Sequence, residues 1–461
     1  MRRTLTYFFT PAFILILLLF SSFTVISCRS AEQVSVPAKT FDSDVIQLVN
    51  SMSVREKIGQ VFLMNFRFWK QSETNNEEIV NEVYHTETVK IPVAGVHKIN
   101  PTIEKMIKKY HIGNVIIFTE NLKNTDEAVK FIYDLQNLAV KSNGIPMLTG
   151  VDQEGGRVTR VKQSVKFPPA RTIGLKGDTD LAFTEGEYLA EQISAFGMNL
   201  DFAPDCDVDS NPKNRVIGDR SYSTDAETAG KFSLAVHKGL KNKNVIACAK
   251  HFPGHGDTAI DSHLGLPTIK KSKSRWLKCE AVPFKMNIDN GIPMIMTAHI
   301  QYPALDKSKI KSDKTDKVIT RPATLSKKIL TDILRGELGF EGVICTDAMD
   351  MHAISKNFTE SRAVIEALNA GADLICHPLE VISVDDIPRV EKMYCDIEKA
   401  VEDGTLPMER LDNAVMRIVQ LKKDYKILYR KFSAPDKKDF ESTKKILTQK
   451  KYQDFADRFK D

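Results

Sequence analysis

The 461-residue chain carries 65 lysines and arginines against 60 aspartates and glutamates, and a net charge of +5 is weak over that length. With 42% hydrophobic and 27% charged residues it has the composition of an ordinary globular protein, long enough for one large domain or two to three smaller ones. No basic run with interleaved aromatics occurs, so nucleic acid is not expected as a partner.

In chain order, Arg2 and Arg3 precede the apolar stretch 13–20, the charged and hydrophobic regions of a secretory signal. Val25-Ile26-Ser27-Cys28 then resembles a bacterial lipobox, in which Cys28 becomes the lipidated first residue and anchors the chain to a membrane. An uncleaved anchor and a plain signal peptide are the alternatives, the apolar run 12–26 being shorter than the ~20 residues a span prefers. All three place the remainder outside the cytoplasmic membrane, in the cell envelope. Residues 1–28 are therefore expected as a lipoprotein-type signal peptide and 29–40 as a linker. From Phe41 a helical pattern runs through Leu48 and Met52 to Ile58.

Eight short apolar runs follow, at residues 61–64, 115–118, 147–151, 200–203, 245–249, 294–297, 342–346 and 372–376, separated by amphipathic stretches. Eight buried strands alternating with helices predict an α/β fold, a single (β/α)8 TIM-type barrel over residues 41–430. Residues 65–101 are polar and too long for an ordinary connection, so they are expected as an insertion, a lid or surface excursion. A helix is predicted over 409–419. The short charged C-terminal tail, 431–461, reads as either a helical appendage or disordered. No glycine-rich dinucleotide fingerprint or phosphate loop follows any strand, and no cofactor is expected. The cysteines from Cys206 to Cys395 show no C-x-x-C spacing, and no disulfide framework is expected.

The fifth apolar run gives way to Lys250-His251-Phe252-Pro253-Gly254-His255-Gly256-Asp257-Thr258, with Asp261-Ser262-His263 closing the loop. A loop broken by Pro and Gly that holds a lysine, three histidines and two aspartates after a buried strand is how an α/β enzyme presents reactive groups. Asp261 can accept the N–H of His263 two residues on, fixing its tautomer and raising its basicity for proton transfer. Two plainer readings compete, a solvated polar loop and a metal site on His251, His255 and Asp257. Pro253 and Gly254 rule out the helix that would set both imidazoles on one face, and no metal is expected. Other polar residues stand at the ends of neighbouring strands: Asp152 to Arg157 after the third, Arg220 beyond the fourth, His299 after the sixth and Asp347 after the seventh. An aspartate there is often only a helix N-cap, but convergence of so many on one rim points to chemistry. Asp205, Asp207 and Asp209 mimic the start of an EF-hand loop, but Ser210 and Val216 stand where glycine and glutamate belong, so that reading is dismissed.

The loop 250–263, Asp152-Gln-Glu-Gly-Gly-Arg, Asn211-Pro212 through Val216-Ile217-Gly218-Asp219-Arg220-Ser221-Tyr222, Pro322-Ala323-Thr324-Leu325-Ser326 and Gly339 through Thr346-Asp347-Ala348-Met349-Asp350-Met351 resemble bacterial β-N-acetylglucosaminidases of glycoside hydrolase family 3. The resemblance implies a retaining exo-β-N-acetylglucosaminidase acting on peptidoglycan fragments or related saccharides, with Asp347 as nucleophile, His263 as general acid/base and Asp261 orienting it. It also implies sugar binding by Asp152, Arg220, Lys250 and His251, with Arg157 and His299 fitting the rim. The family's β-glucosidase branch takes its acid/base from a second domain, whereas the Asp-x-His element here lies within the barrel sequence, which favours the hexosaminidase branch. A monomer is favoured, and transfer to phosphate in place of water is conceivable because a histidine repels an anionic acceptor less than a carboxylate does. The competing functions are a metal-assisted hydrolase and a catalytically dead, lipid-anchored glycan-binding protein.

Overall fold

The structure, a computed structural model, describes residues 39–70, 82–85, 90–258 and 265–460. The eight apolar runs form the strands β1 (Phe62–Asn65), β2 (Asn114–Ile117), β3 (Leu148–Val151), β4 (Leu200–Asp201), β5 (Ile246–Phe252), β6 (Met294–Thr297), β7 (Val343–Cys345) and β8 (Ile375–Cys376). All are buried along their whole length, which is why their sequences are apolar in the main and do not alternate. From β1 to β7 each pairs in parallel with the next, and β8 returns to β1 through Phe62–Ile375 and Leu63–Cys376. A bridge between Cys345 and Leu374 links β7 to the start of β8, so the ring is nearly closed. The barrel read from the sequence is thus present.

Two helices lead in, α1 (Ser43–Asn50) and α2 (Val54–Val61). The single helical pattern expected from Phe41 to Ile58 is broken at Ser53. Its side chain accepts from the Glu56 N–H while Glu56 accepts the Ser53 N–H at 2.7 Å, a capping box that starts a second helix. The outer layer follows as α3 (Pro101–Tyr110), α4 (Thr125–Asn143), α5 (Thr179–Ser194), α6 (Ala226–Asn242), α7 (Ala281–Asp289), α8 (Lys328–Glu337), α9 (Glu360–Ala370), α10 (Ile387–Glu402) and α11 (Met408–Asp424). Close approach of α5 and α6 depends on two glycines. A Cβ at Gly186 would lie 2.4 Å from the Val236 carbonyl oxygen, and one at Gly239 2.2 Å from that of Phe183. Asp373, fully buried ahead of β8, binds Arg335 of α8, Arg410 of α11 and the Ile344 N–H of β7, fixing these elements to one another.

Between β1 and α3 the described residues form a small antiparallel sheet in which Lys90–Gly95 lies between Phe68–Lys70 and Glu82–His85. It is tied to the barrel rim where the Lys70 N–H donates to the Ile382 carbonyl at 2.6 Å, and Trp69 is buried. At the other end of the chain, the tail that the sequence left undecided holds two helices, α12 (Lys437–Leu447), opened by an Asp436–Asp439 capping box, and α13 (Lys450–Asp457). Its few aromatics account for the docking. Tyr452 stacks edge-on to Tyr188 at 5.1 Å between ring centroids, and Phe455 to Phe167 at 5.4 Å, while the charged residues face outward. Among the described residues no helix is long and apolar enough to cross a membrane.

Candidate active site

The C-terminal ends of β3, β4, β5 and β7 converge on one polar centre, the rim where a barrel leaves its loops free to carry function. Immediately past β3, Asp152 and Glu154 receive the Lys250 ammonium of β5, at 2.7 and 2.6 Å. Glu154 also takes both arms of Arg220, at 2.8 Å from Nε and 2.7 Å from Nη2, a bidentate pair whose second arm lies 3.5 Å from Asp205. His251, next to Lys250 across a cis peptide bond, offers Nδ1 to Asp207 at 2.7 Å and turns Nε2 toward Arg220 at 3.5 Å. Asp207 can only accept when ionised, so Nδ1 carries the proton and Nε2 is left as the acceptor. The second Asp207 oxygen accepts the His255 N–H at 2.5 Å, and Asn214 holds the His255 and Gly256 carbonyls, which fixes the start of the loop after β5.

These groups set one another's charge. Burial works to raise the Glu154 carboxyl, but Arg220 and Lys250 overcome it and hold it well below the usual range. Burial likewise opposes the Lys250 ammonium, and Asp152 and Glu154 more than compensate, so it stays protonated. Asp207 is kept low against burial chiefly by His251, while burial and the neighbouring Asp207 push Asp205 well up. Burial drives the His255 imidazole down to about 4, against the pull of Asp207 and Asp347. The result is a largely buried set of fixed donors and acceptors, suited to neutral polyhydroxylated molecules whose hydroxyls both donate and accept.

Asp347 follows β7, half-buried, with Oδ1 accepting the Ala348 N–H at 2.8 Å. The peptide beyond it is held by His299, whose Nε2 donates to the Ala348 carbonyl at 2.9 Å and whose Nδ1 meets the Thr324 hydroxyl at 2.8 Å. His299, from the end of β6, is fully buried and so positions the Asp347 segment from behind. Arg157 is placed otherwise than on the polar centre. It donates to the carbonyls of residues 215–217 and pairs with Asp219 at 2.8 Å, bracing the segment that carries Arg220. Asp152, Arg220, Lys250 and His251 are thus brought together, while Asp261 and His263 lie outside the described residues, as does Cys28.

Three features of this centre were not singled out from sequence. Asp207 was set aside with the false EF-hand, although its place after an apolar run at a strand end was the usable signal. Glu154 was passed over inside its motif. The third is a cluster beside Asp347: His377 lies 3.0 Å from Asp350 on one side and 3.0 Å from Glu380 on the other, with Asn65 at 3.2 Å. Burial opposes the imidazolium, but the two carboxylates raise it well above its ordinary value. His377 sits at φ 45°, a left-handed conformation uncommon outside glycine and often kept at functional sites. Asp350 and Glu380 line a cleft of about 820 Å³ bounded by the loops after β7 and β8 and by Lys70 and Pro92 of the small sheet.

Among the described residues two groups have metal-ligand composition, Asp205–Asp207–His251 and Asp350–His377–Glu380. In the first, the Arg220 guanidinium already stands against the acidic oxygens. In the second, the two histidine nitrogens are each turned to a different carboxylate, which suits a cationic imidazolium better than a metal ligand. The alternative set His251, His255 and Asp257 is not gathered: the two rings are 6.0 Å apart, and Asp257 faces Lys271 at 3.8 Å.

Comparison with known proteins adds a family. The profile of the Glycosyl hydrolase family 3 N terminal domain matches residues 53–421. Beta-hexosaminidase A of Pseudoalteromonas piscicida is 39% identical over 337 residues, 71% of this chain, and the match spans 56% of that protein's length. A beta-hexosaminidase of Chromobacterium violaceum is 35% identical over 271 residues, 57% of this chain and 71% of its own. Among solved structures, a glycoside hydrolase family 3 beta-N-acetylglucosaminidase from Paenibacillus sp. str. FPU-7 superposes with a TM-score of 0.70 at 31% identity, covering 86% of this chain and 68% of the other.

Proposed function

The chain belongs to glycosyl hydrolase family 3, and from that premise we propose that it is a retaining exo-β-N-acetylglucosaminidase, removing terminal β-linked N-acetylglucosamine from peptidoglycan fragments or related saccharides. The observation that carries this reading is the placement of Asp347 on the same rim as the buried Asp152–Glu154–Lys250–Arg220–His251–Asp207 network. The names of its relatives support the sugar.

In the proposed reaction the network receives the hydroxyls at the non-reducing end of the sugar, which places C1 over Asp347. An Asp347 carboxylate oxygen attacks C1 as the glycosidic bond breaks, and His263, oriented by Asp261, protonates the departing oxygen. His263 then takes a proton from water, whose oxygen attacks C1 and frees Asp347, giving net retention. Histidine titrates near neutral pH, so it serves as acid and then base without the burial that a glutamic acid needs. Fixed hydrogen bonds on the sugar hydroxyls contribute by holding C1 within reach of the nucleophile. Export, a lipid anchor at Cys28 and a monomeric state complete the proposal.

The experiment is product analysis on purified cell-wall fragments, by mass for the released sugar and by proton NMR for its first-formed anomer. Release of β-N-acetylglucosamine supports the proposal. First-formed α-anomer, or no free N-acetylglucosamine, contradicts it.

A further inference from the structure

A chain of hydrogen bonds runs from the C-terminal hairpin, α12 and α13, to the loop that carries Asp152 and Glu154. Gln153, buried between those two, donates from Nε2 to Gln192 Oε1 at 2.8 Å. Gln192 of α5, also buried, donates onward to Ser164 Oγ at 2.8 Å, and the Ser164 hydroxyl donates to the Leu447 carbonyl at 2.8 Å. Leu447 is the last residue of α12, and a helix end leaves such carbonyls without a partner of their own. Every donor points the same way, so each bond strengthens the next. At its inner end Gln153 organises the substrate loop. Its N–H is accepted by Asp201 at 2.9 Å, and its Oε1 accepts the N–H groups of Arg160 and Val161 at 2.8 and 3.1 Å. The Arg160 guanidinium in turn lies 3.9 Å from Asp152.

We propose that the C-terminal hairpin positions the sugar-binding loop 152–161, with Ser164, Gln192 and Gln153 as positioning residues. The hairpin lies beyond residue 421, where the family match ends, so it is an addition to the matched barrel domain. Its own hold on the barrel is independent of the relay. Thr443 donates to the Ala195 carbonyl at 2.8 Å, Tyr452 donates to Glu191 at 2.9 Å, and the Tyr452 and Phe455 rings pack on Tyr188 and Phe167. With the hairpin seated, the Leu447 carbonyl stands at a fixed point and the relay locks the register of the loop. Loosening it frees Ser164, leaves Gln192 Nε2 held by the Val165 carbonyl at 3.1 Å alone, and so loosens the Gln153 side chain that holds the amides of residues 160 and 161.

The inference rests on Asp152 binding sugar, and the test separates the two claims. Ser164→Ala removes the relay's hydroxyl, Ser164→Thr keeps it, and Phe455→Ala loosens the hairpin through its packing on Phe167 and Tyr188, neither of which belongs to the polar centre.

Each variant is read by KM and kcat on a chromogenic N-acetyl-β-glucosaminide, by the inhibition constant of N-acetylglucosamine, by Tm, and by hydrogen exchange at the amides of residues 160 and 161. Ser164→Ala is expected to raise KM and the inhibition constant about threefold to tenfold, the range for one lost hydrogen bond, with kcat within about twofold and faster exchange at both amides. Ser164→Thr should restore them. Phe455→Ala should shift the same constants, and the double variant with Ser164→Ala should do no more than the larger single effect, because both act on one relay. An unchanged inhibition constant in Ser164→Ala, whatever happens to Tm, overturns the proposal. If the wild-type protein neither cleaves nor binds the sugar, the functional reading fails, and exchange at residues 160 and 161 still decides whether the hairpin controls the loop.

Discussion

Arg220 and Glu154 meet as a two-armed ion pair, at 2.7 and 2.8 Å, with side-chain exposures of 13% and 6%. Lys250 shares the same carboxylate, so a single anion neutralises part of two buried cations. Glu154→Gln keeps the shape and removes the charge. Breaking a buried pair from one side costs about 3–5 kcal/mol, and thermal unfolding should show a loss of that order. Lys250 and Arg220, the cations proposed to bind sugar, also lose their fixed geometry, and kcat/KM should fall about a hundredfold or more. The sign with pH is set by the depressed Glu154 carboxyl: its contribution is full above the unfolded value near 4.5 and is lost as pH falls through the folded one. Tm measured below pH 4.5 should therefore vary less in Glu154→Gln than in the wild type.

His299 reaches the Asp347 segment through the Ala348 carbonyl. Removing the imidazole in His299→Ala takes that donor from the Ala348 carbonyl, while the Thr324 hydroxyl keeps Thr297 and the Ala298 carbonyl, and it lets Asp347, the proposed nucleophile, drift. We expect kcat to fall about tenfold or more with a smaller change in KM, since the proposed sugar-binding groups stand at the ends of other strands. Steady-state kinetics check this, and an equal loss in both constants would count against a positioning role.

The barrel was legible because strands buried on both faces must be apolar throughout, and eight such runs survive any uncertainty about their ends. Lys250, His251, Arg220 and Asp152 were legible through their motifs. Asp207 was not, because a local comparison with a calcium loop said nothing of the strand end that aims it at His251. The Asp350–His377–Glu380 cluster joins the loops after β7 and β8, a contact that spacing within one loop does not reveal. The tail was undecided because its charge outweighs three buried anchors, Leu447, Tyr452 and Phe455, whose partners lie on distant elements.

Lys422 lies fully buried at the base of the barrel, donating to Gln60 at 2.9 Å and to the Gly113 carbonyl at 3.1 Å. Burial lowers its pKa to about 7 from the model-peptide value of 10.5. The folded state thus binds this proton less readily than the unfolded chain. The penalty is absent above pH 10.5, grows as pH falls from 10.5 to about 7, and is constant below. Its full size is on the order of a few kcal/mol. The difference in unfolding free energy between wild type and Lys422→Met, followed by denaturant titration from pH 7 to 10, should change by that amount. A difference independent of pH would show that Lys422 stays charged in the fold.

Under the proposed mechanism His263 is needed only where the leaving oxygen must be protonated. His263→Ala should slow a natural disaccharide by about a hundredfold or more, while an activated nitrophenyl glycoside loses much less in its first step. The ratio of the two rates is the measurement, and equal losses on both substrates would remove His263 from the acid role.

The central claim is that Asp347 attacks the sugar. The direct measurement is turnover of a chromogenic N-acetyl-β-glucosaminide by Asp347→Ala beside the wild type, with Tm recorded for both. The account predicts that the variant keeps its fold and loses nearly all turnover, about a thousandfold or more. A folded Asp347→Ala that still cleaves the substrate at the wild-type rate would contradict it.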